Sequence, residues 1–149
     1  DKDRKILMLL QDNGRESLTN IAKKVNLSID SVNNRMQSLM EKKLFEPGIF
    51  IDQRVLGFPI IVDVKIKMQN LSQEKKEQFI AHLVVHPRII TLLSITGRFD
   101  FLCSIIAKDT DELEQVSTEI RNKYKDEITD WETTLILKTH KLERYDLTT

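Results

Sequence analysis

The sequence predicts an α+β chain: three short helices, then an antiparallel sheet that carries two helices on one face. Two observations carry this reading. Apolar residues recur at helical spacing up to about residue 43, then switch to strict alternation at Ile60–Met68. Beyond that strand, two amphipathic helical stretches are interleaved with three more β-rich runs.

The first helix spans Asp3–Gln11, with Ile6, Leu7, Leu9 and Leu10 as its apolar set, and Asp12-Asn13-Gly14 is a turn signal that ends it. Ser17 is placed to cap a second helix bearing Leu18, Ile21, Ala22 and Val25. Asn26 tolerates the left-handed conformation of a tight turn, Leu27 fills that turn, and Ser28 caps a third helix ending near Lys43. Two short helices joined this way make a helix-turn-helix: Ala22 is small where they cross, and Val32 anchors the second one to the core.

The third helix has two unlike faces. Ile29, Val32, Met36, Leu39 and Met40 lie on one side; Asp30, Asn34, Gln37 and Glu41 lie on the other, flanked by Ser31 and Ser38. A solvated face in so charged a chain usually carries Lys and Glu. This one carries amides and hydroxyls, which both donate and accept hydrogen bonds.

In the second part, Ile60, Val62, Val64, Ile66 and Met68 alternate with Asp63, Lys65 and Lys67, as a strand requires. A helix capped by Ser72 and stopped by Pro87 turns Phe79, Ile80, Leu83 and Val84 inward. Strands 88–96 and 101–107 flank the tight connection Gly97–Asp100. A helix capped by Thr110 buries Leu113, Val116, Ile120 and Tyr124, and a last strand runs over 131–140. The order βαββαβ is ferredoxin-like. The second and third strands are apolar on both faces: Ile89, Leu93 and Ile95 alternate with Ile90 and Leu92, and Phe101, Cys103 and Ile105 alternate with Leu102 and Ile106. The chain's own helices cover one face. An antiparallel sheet open to water on the other would be polar there. A second copy is the simplest cover, so the sheet domain is expected to dimerise through its open face, by Leu93, Ile95, Cys103 or Ile105 according to which set points away from the helices. The expected domains are residues 1–43, a connector at 44–58, and 59–149.

The chain has 149 residues, and its 23 basic residues balance 23 acidic ones, which argues against coating nucleic acid by bulk charge. No apolar run approaches the ~20 residues that cross a bilayer, and no secretory signal is visible. A lone Cys103 in an apolar run permits no intrachain disulfide and fits a reducing cytoplasm. His82 and His86 stand four apart on a helix, but no third ligand joins them at recognisable spacing. No phosphate loop or nucleophile elbow is present, so no catalytic residue, metal or cofactor is expected.

Residues Asp3–Leu39 resemble the N-terminal domain of the Lrp/AsnC (leucine-responsive, or feast/famine) transcription regulators. Asp3-Arg4-x-Ile6-Leu7, Gly14-Arg15, Ile21-Ala22, Leu27-Ser28 and Val32-x-x-Arg35 sit at that family's spacing. Thr96–Asp109 resembles the Gly-x-x-Asp segment of its C-terminal effector and oligomerisation domain, and Leu56-Gly57 matches the usual junction. One departure is Lys43, where the family often has Gly.

The resemblance implies a DNA-binding regulator whose third helix enters the major groove of double-stranded DNA. Asn34 and Gln37 are suited to read adenine; Ser28, Ser31 and Ser38 to bond a base or phosphate; Arg15, Lys23, Lys24 and Arg35 to meet phosphates. Arg35 fits an intrachain ion pair equally well, Lys23 and Lys24 fit ordinary helix-end cations, and Asp30 fits stabilisation of the helix start better than a cytosine contact. Twofold symmetry implies a pseudo-palindromic operator and leaves open assembly beyond the homodimer. Thr96, Gly97, Arg98 and Asp100 are the expected contacts of a small effector such as an amino acid; Gly97 and Asp100 also suit a plain β-turn. The alternative class is an enzyme of similar layout, a sirohaem decarboxylase-like tetrapyrrole-processing protein.

Overall fold

A computed structural model describes residues 1–148. The chain forms two compact units. One comprises residues 1–50 together with the C-terminal segment from His140; the other is Ile51–Thr139.

The first unit holds α1 (Lys2–Asp12), α2 (Leu18–Val25) and α3 (Ile29–Glu41). Ile6, Ile21, Ala22, Val25 and Val32 are buried together, with Leu9, Leu10, Leu18, Leu27 and Met36 packed on them. The caps follow from the side chains at each break. Ser17 accepts from the Asn20 N–H, and Ser28 accepts from the Ser31 N–H. Asn26 is left-handed at φ 54°, and the Leu27 N–H donates to the Ala22 carbonyl oxygen, closing α2 in a Schellman turn. Lys43 does the same for α3: it sits at φ 55°, its N–H donates to the Met40 oxygen, and the Leu44 N–H donates to the Leu39 oxygen. The position where the resembled family often has Gly thus has the backbone that favours Gly, and here a lysine adopts it. Ile29 departs from its expected inward place and is 46% exposed. A helical side chain covers the turn before its own Cα, and the first residue of a helix has no such turn.

The second unit orders β1 (Ile60–Met68), α4 (Gln73–Val84), β2 (Ile89–Ser94), β3 (Phe101–Ala107), α5 (Thr110–Lys123) and β4 (Ile128–Leu135). The sheet runs β2-β3-β1-β4, antiparallel throughout. Val62, Val64, Ile66, Phe79, Leu83, Phe101, Cys103, Ile105, Val116 and Ile120 form the core between sheet and helices. Burial pushes the Cys103 thiol up to about 12, so it is a packed apolar group and not a nucleophile.

Several expected details move. Asp109 rather than Thr110 caps α5, accepting from the Glu112 N–H at 2.8 Å. Val84 is exposed at the end of α4, on the flank of the Phe79–Leu83 stripe. β4 starts and stops earlier than expected; after the Ile136 N–H donates to the Ile61 oxygen, β1 offers almost no ladder to continue. A bulge between Ile89 and Thr91 sets Ile89 and Leu92 together against the core, where strict alternation would separate them. It leaves Ile90 and Leu93 half exposed on an edge strand. The face away from the helices carries Leu93, Leu102, Ile106 and Ile61 beside Ser104 and Asp63, while Cys103 and Ile105 point inward.

Candidate functional site

The polar face of α3 is built from its caps outward. Ser28 spends its hydroxyl on the Ser31 N–H at 3.1 Å, which fixes the first turn. Asp30 follows in that turn, where a carboxylate favours the positive end of the helix dipole. Val32 and Leu39 are buried on the opposite side, so Asn34 and Gln37 are turned outward and exposed, with Ser31 and Ser38 half-buried beside them. Among the described residues, the side chains of Ser31, Asn34, Gln37 and Ser38 have no intrachain hydrogen bond.

The expected phosphate-binding cations divide into two kinds. Arg15 and Lys23 are exposed, and their side chains have no ion pair among the described residues. Lys24 pairs with Glu16 at 2.8 Å, and Arg35 pairs with Asp3 at 2.8 Å. Glu16 is the less exposed partner of its pair; the Lys24 ammonium, then the Asn20 amide, hold its carboxyl below the usual range. The Arg35 pair ties α3 to α1, which is the ion-pair reading of that residue. Its partner Asp3, at the start of α1, opens the Asp3-Arg4-x-Ile6-Leu7 motif, whose spacing alone does not reveal the pairing.

The hairpin tip between β2 and β3 is differently arranged. The Ile95 N–H donates to the Asp100 oxygen and the Asp100 N–H to the Ile66 oxygen, both at 2.9 Å. Asp100 Oδ2 accepts from the Met68 N–H at 2.8 Å, beside the bulge between Lys67 and Met68, and Oδ1 accepts from Lys67 Nζ at 3.1 Å. Burial pushes this carboxyl up, but the Met68 N–H and the Lys67 ammonium outweigh it, so it ends below its ordinary value. Arg98 lies over the Phe99 ring and pairs with Asp130 on β4 at 2.8 Å. Gly97 has φ +131°, and nothing lies within 4 Å of where a Cβ would stand. Glycine is therefore needed there for its backbone and not for space. The N–H groups of Gly97 and Arg98 have no intrachain acceptor among the described residues. The structure thus brings Thr96, Gly97, Arg98 and Asp100 onto one tip. It also ties them to Lys67, Met68 and Asp130, which sequence reasoning left out because those contacts cross from other strands.

His82 and His86 both point Nε2 at Glu119, at 4.0 and 3.9 Å. His86 Nδ1 accepts from the Arg88 N–H, which leaves its proton on Nε2. An Nε2–H is a donor and has no lone pair for a metal. No group of three His, Cys, Asp or Glu among the described residues is placed to hold an ion.

A capped helix-turn-helix with a free polar recognition face, followed by a ferredoxin-like sheet domain, defines a DNA-binding regulator with a second, sensing or assembly domain. The AsnC-type helix-turn-helix domain model matches residues 1–40, and the Lrp/AsnC ligand binding domain model matches residues 61–146. The chain belongs to the Lrp/AsnC family of transcriptional regulators. It is 27% identical over 128 residues to the HTH-type transcriptional regulator AldR of Mycolicibacterium smegmatis, covering 85% of this chain and 74% of that one. It is 30% identical over 112 residues to the HTH-type regulator Ptr1 of Methanocaldococcus jannaschii, 74% of each chain. Its fold matches the crystal structure of the regulator NMB0573 of Neisseria meningitidis, solved as a complex with L-Met, at a TM-score of 0.85 and 19% identity over 95% of this chain and 92% of that one. The protein is a DNA-binding transcriptional regulator, and the tetrapyrrole-enzyme alternative falls with that membership. No helix among the described residues is long and apolar enough to cross a membrane.

Proposed function

We propose that this regulator works in the cytoplasm as a homodimer that reads a pseudo-palindromic operator through α3, and that a free amino acid or a related metabolite modulates it at the Thr96–Asp100 tip. The observation that carries the DNA reading is the set of side chains on α3 left without intrachain partners. Asn34 and Gln37 present paired donor and acceptor atoms to an adenine edge, Ser31 and Ser38 take nearby bases or phosphates, and Asp30 serves the helix start. Arg15 and Lys23 are the readiest phosphate contacts. Lys24 and Arg35 meet phosphates only by sharing or leaving Glu16 and Asp3, and Ser28 contributes its cap.

Dimerisation rests on Leu93, half exposed, and Leu102, half-buried, on the face that the chain's helices do not cover; Ile61 and Ile106 on the same face are already buried within the chain. The effector reading rests on chemistry. Two N–H groups at Gly97 and Arg98 lack acceptors among the described residues, and the Arg98 guanidinium, paired with Asp130, is largely exposed, so N–H donors and a cation are available to a carboxylate. The L-Met complex of a regulator with this fold accords with it.

Selection of bound duplexes from a random pool, repeated with and without each amino acid, tests all three parts. The expected result is an inverted repeat with half-sites about one helical turn, roughly 34 Å, or a multiple apart. An enriched site with no twofold symmetry would refute the dimeric reading. Enrichment unchanged by every amino acid would refute a free amino acid as the effector.

A further inference from the structure

The C-terminal segment from His140 groups with the helix-turn-helix and not with the sheet that precedes it. Two adjacent residues of α1 grip two adjacent residues of the segment. The Gln11 carboxamide bonds both backbone groups of Tyr145: Nε2 donates to the Tyr145 oxygen at 3.1 Å, and Oε1 accepts from the Tyr145 N–H at 2.9 Å. Arg144 forms an ion pair with Asp12. The carboxamide clamps main-chain groups that any residue offers, and the neighbouring Arg144–Asp12 side-chain pair selects the register. Beyond this anchor Asp146 accepts from the N–H and the hydroxyl of Thr148. The Leu142 and Tyr145 side chains stay largely exposed, so polar contacts and not burial hold the segment. Such docking is specific and breakable.

The connectivity gives this contact a consequence. The chain leaves the DNA-binding unit after Phe50 and re-enters it at His140, directly downstream of β4. At the exit of β4 the strand is held by the Ile136 N–H bonded to the Ile61 oxygen and by Arg54 donating to the Ile136 and Leu137 oxygens. A unit joined by one connector swivels about it. A unit joined at two points does so far less.

We propose that residues 140–148 are a strap: an intramolecular partner docked on the C-terminal end of α1, which gives each DNA-binding unit a second tie to the sheet domain and presets it for a two-half-site operator. This rests on the dimeric DNA-reading function proposed above. None of Gln11, Asp12, Arg144 or Tyr145 belongs to the DNA-reading set, so the strap can be released without touching the recognition face.

The test uses the full chain with Gln11→Ala, Arg144→Glu, Asp12→Arg and the double swap Asp12→Arg/Arg144→Glu. Amide hydrogen exchange reads docking directly. The Tyr145 N–H should be protected in the wild type, exchange as a free peptide in Gln11→Ala and Arg144→Glu, and be protected again in the double swap. DNA binding reads the consequence as a ratio, because Asp12→Arg adds a cation of its own. The ratio of two-half-site to one-half-site affinity should fall about tenfold in the released variants and recover in the double swap, the signature of lost preorganisation between linked sites. One-half-site affinity should be unchanged by Gln11→Ala. An unprotected Tyr145 amide in the wild type overturns the strap. So does a two-site advantage that the released variants keep. Protection that rises with protein concentration assigns the docking to a second copy and overturns the intramolecular form. A wild type that shows no two-site advantage, with Tyr145 protected, refutes the dimeric reading instead and leaves the docking established.

Discussion

The recognition face of α3 and the hairpin tip at 96–100 both present polar side chains, yet those side chains are used in opposite ways. On α3 the amides and hydroxyls of Ser31, Asn34, Gln37 and Ser38 have no partner within the chain among the described residues. At the tip, Asp100 is committed to Met68 and Lys67, and Arg98 to Asp130. A face without internal partners is free to change its function without changing the fold. A tip whose side chains brace the sheet is not, and any ligand there must work with the main-chain N–H groups left over or displace an existing pair. The two regions should therefore separate in experiment: substitutions on α3 should change binding and leave stability, and substitution of Asp100 at the tip should change stability first.

The largest expected effect is Asn34→Ala. A bidentate contact to adenine accounts for about 1–3 kcal/mol of discrimination, roughly 5- to 150-fold in operator affinity. Asn34 is exposed and has no intrachain hydrogen bond, so the unfolding midpoint should not move beyond ~0.5 kcal/mol. Fluorescence anisotropy on the selected operator and urea unfolding measure the two sides. A large loss of stability would mean that Asn34 has a structural partner after all.

Asp100→Ala should do the reverse. It leaves the Met68 N–H unpaired next to the β1–β4 bulge and strips Lys67 of its partner, so about 1–2 kcal/mol of sheet-domain stability should go. The pH dependence gives a second check. Because the folded carboxyl sits below its ordinary value, its stabilisation is complete above the unfolded-chain value of ~3.9 and is lost as pH falls through the lower folded value. Asp100→Asn has no such titration. The stability gap between wild type and Asp100→Asn should therefore shrink on acidification below pH ~4. A gap that stays constant down to pH ~2 would remove the carboxylate from the account.

The same contrast explains what the sequence made legible. The three N-terminal helices, the bounds of β1 and β3, and three of the caps were readable because each rests on local spacing and one well-placed residue, as at Ser17, Ser28 and Ser72. The partners of Arg98 and Asp100 were not, because the register of β1 and β4 brings them in from 30 or more positions away. The Ile89–Thr91 bulge was also hidden: an apolar run such as Ile89-Ile90 fits either face, and only the pairing with β3 selects one. On α3 the outward residues could be named from periodicity alone. Which of the neighbouring cations were free could not, since Glu16 and Asp3 capture Lys24 and Arg35 through the packing of the three helices.

Lys43→Gly sharpens the comparison by moving one unit alone. A lysine at φ 55° carries a Cβ in the left-handed region, and glycine relieves it at some entropic cost to the folded chain. The helix-turn-helix unit should gain about 0.5–1 kcal/mol, read from amide exchange within α3, while the hairpin tip exchanges as before. Destabilisation would show that the lysine side chain makes a contact worth more than its backbone strain.

The smallest structural effect, and the cleanest probe of the tip, is Arg98→Ala. The Arg98–Asp130 pair is short, but the arginine side chain is 73% exposed, and an ion pair so open to solvent contributes about 0–0.5 kcal/mol. Its replacement should leave the unfolding midpoint almost unmoved, unlike that of Asp100. Any large consequence must then come from a ligand. If Arg98 turns from Asp130 to an effector carboxylate, calorimetric amino-acid binding should weaken by about 1.5–3 kcal/mol, the range for a charge-assisted hydrogen bond. Basal operator affinity in the absence of amino acid should stay at the wild-type value. An effector that binds Arg98→Ala as tightly as the wild type would take the carboxylate away from this tip and leave Gly97 and Asp100 as the parts of a turn.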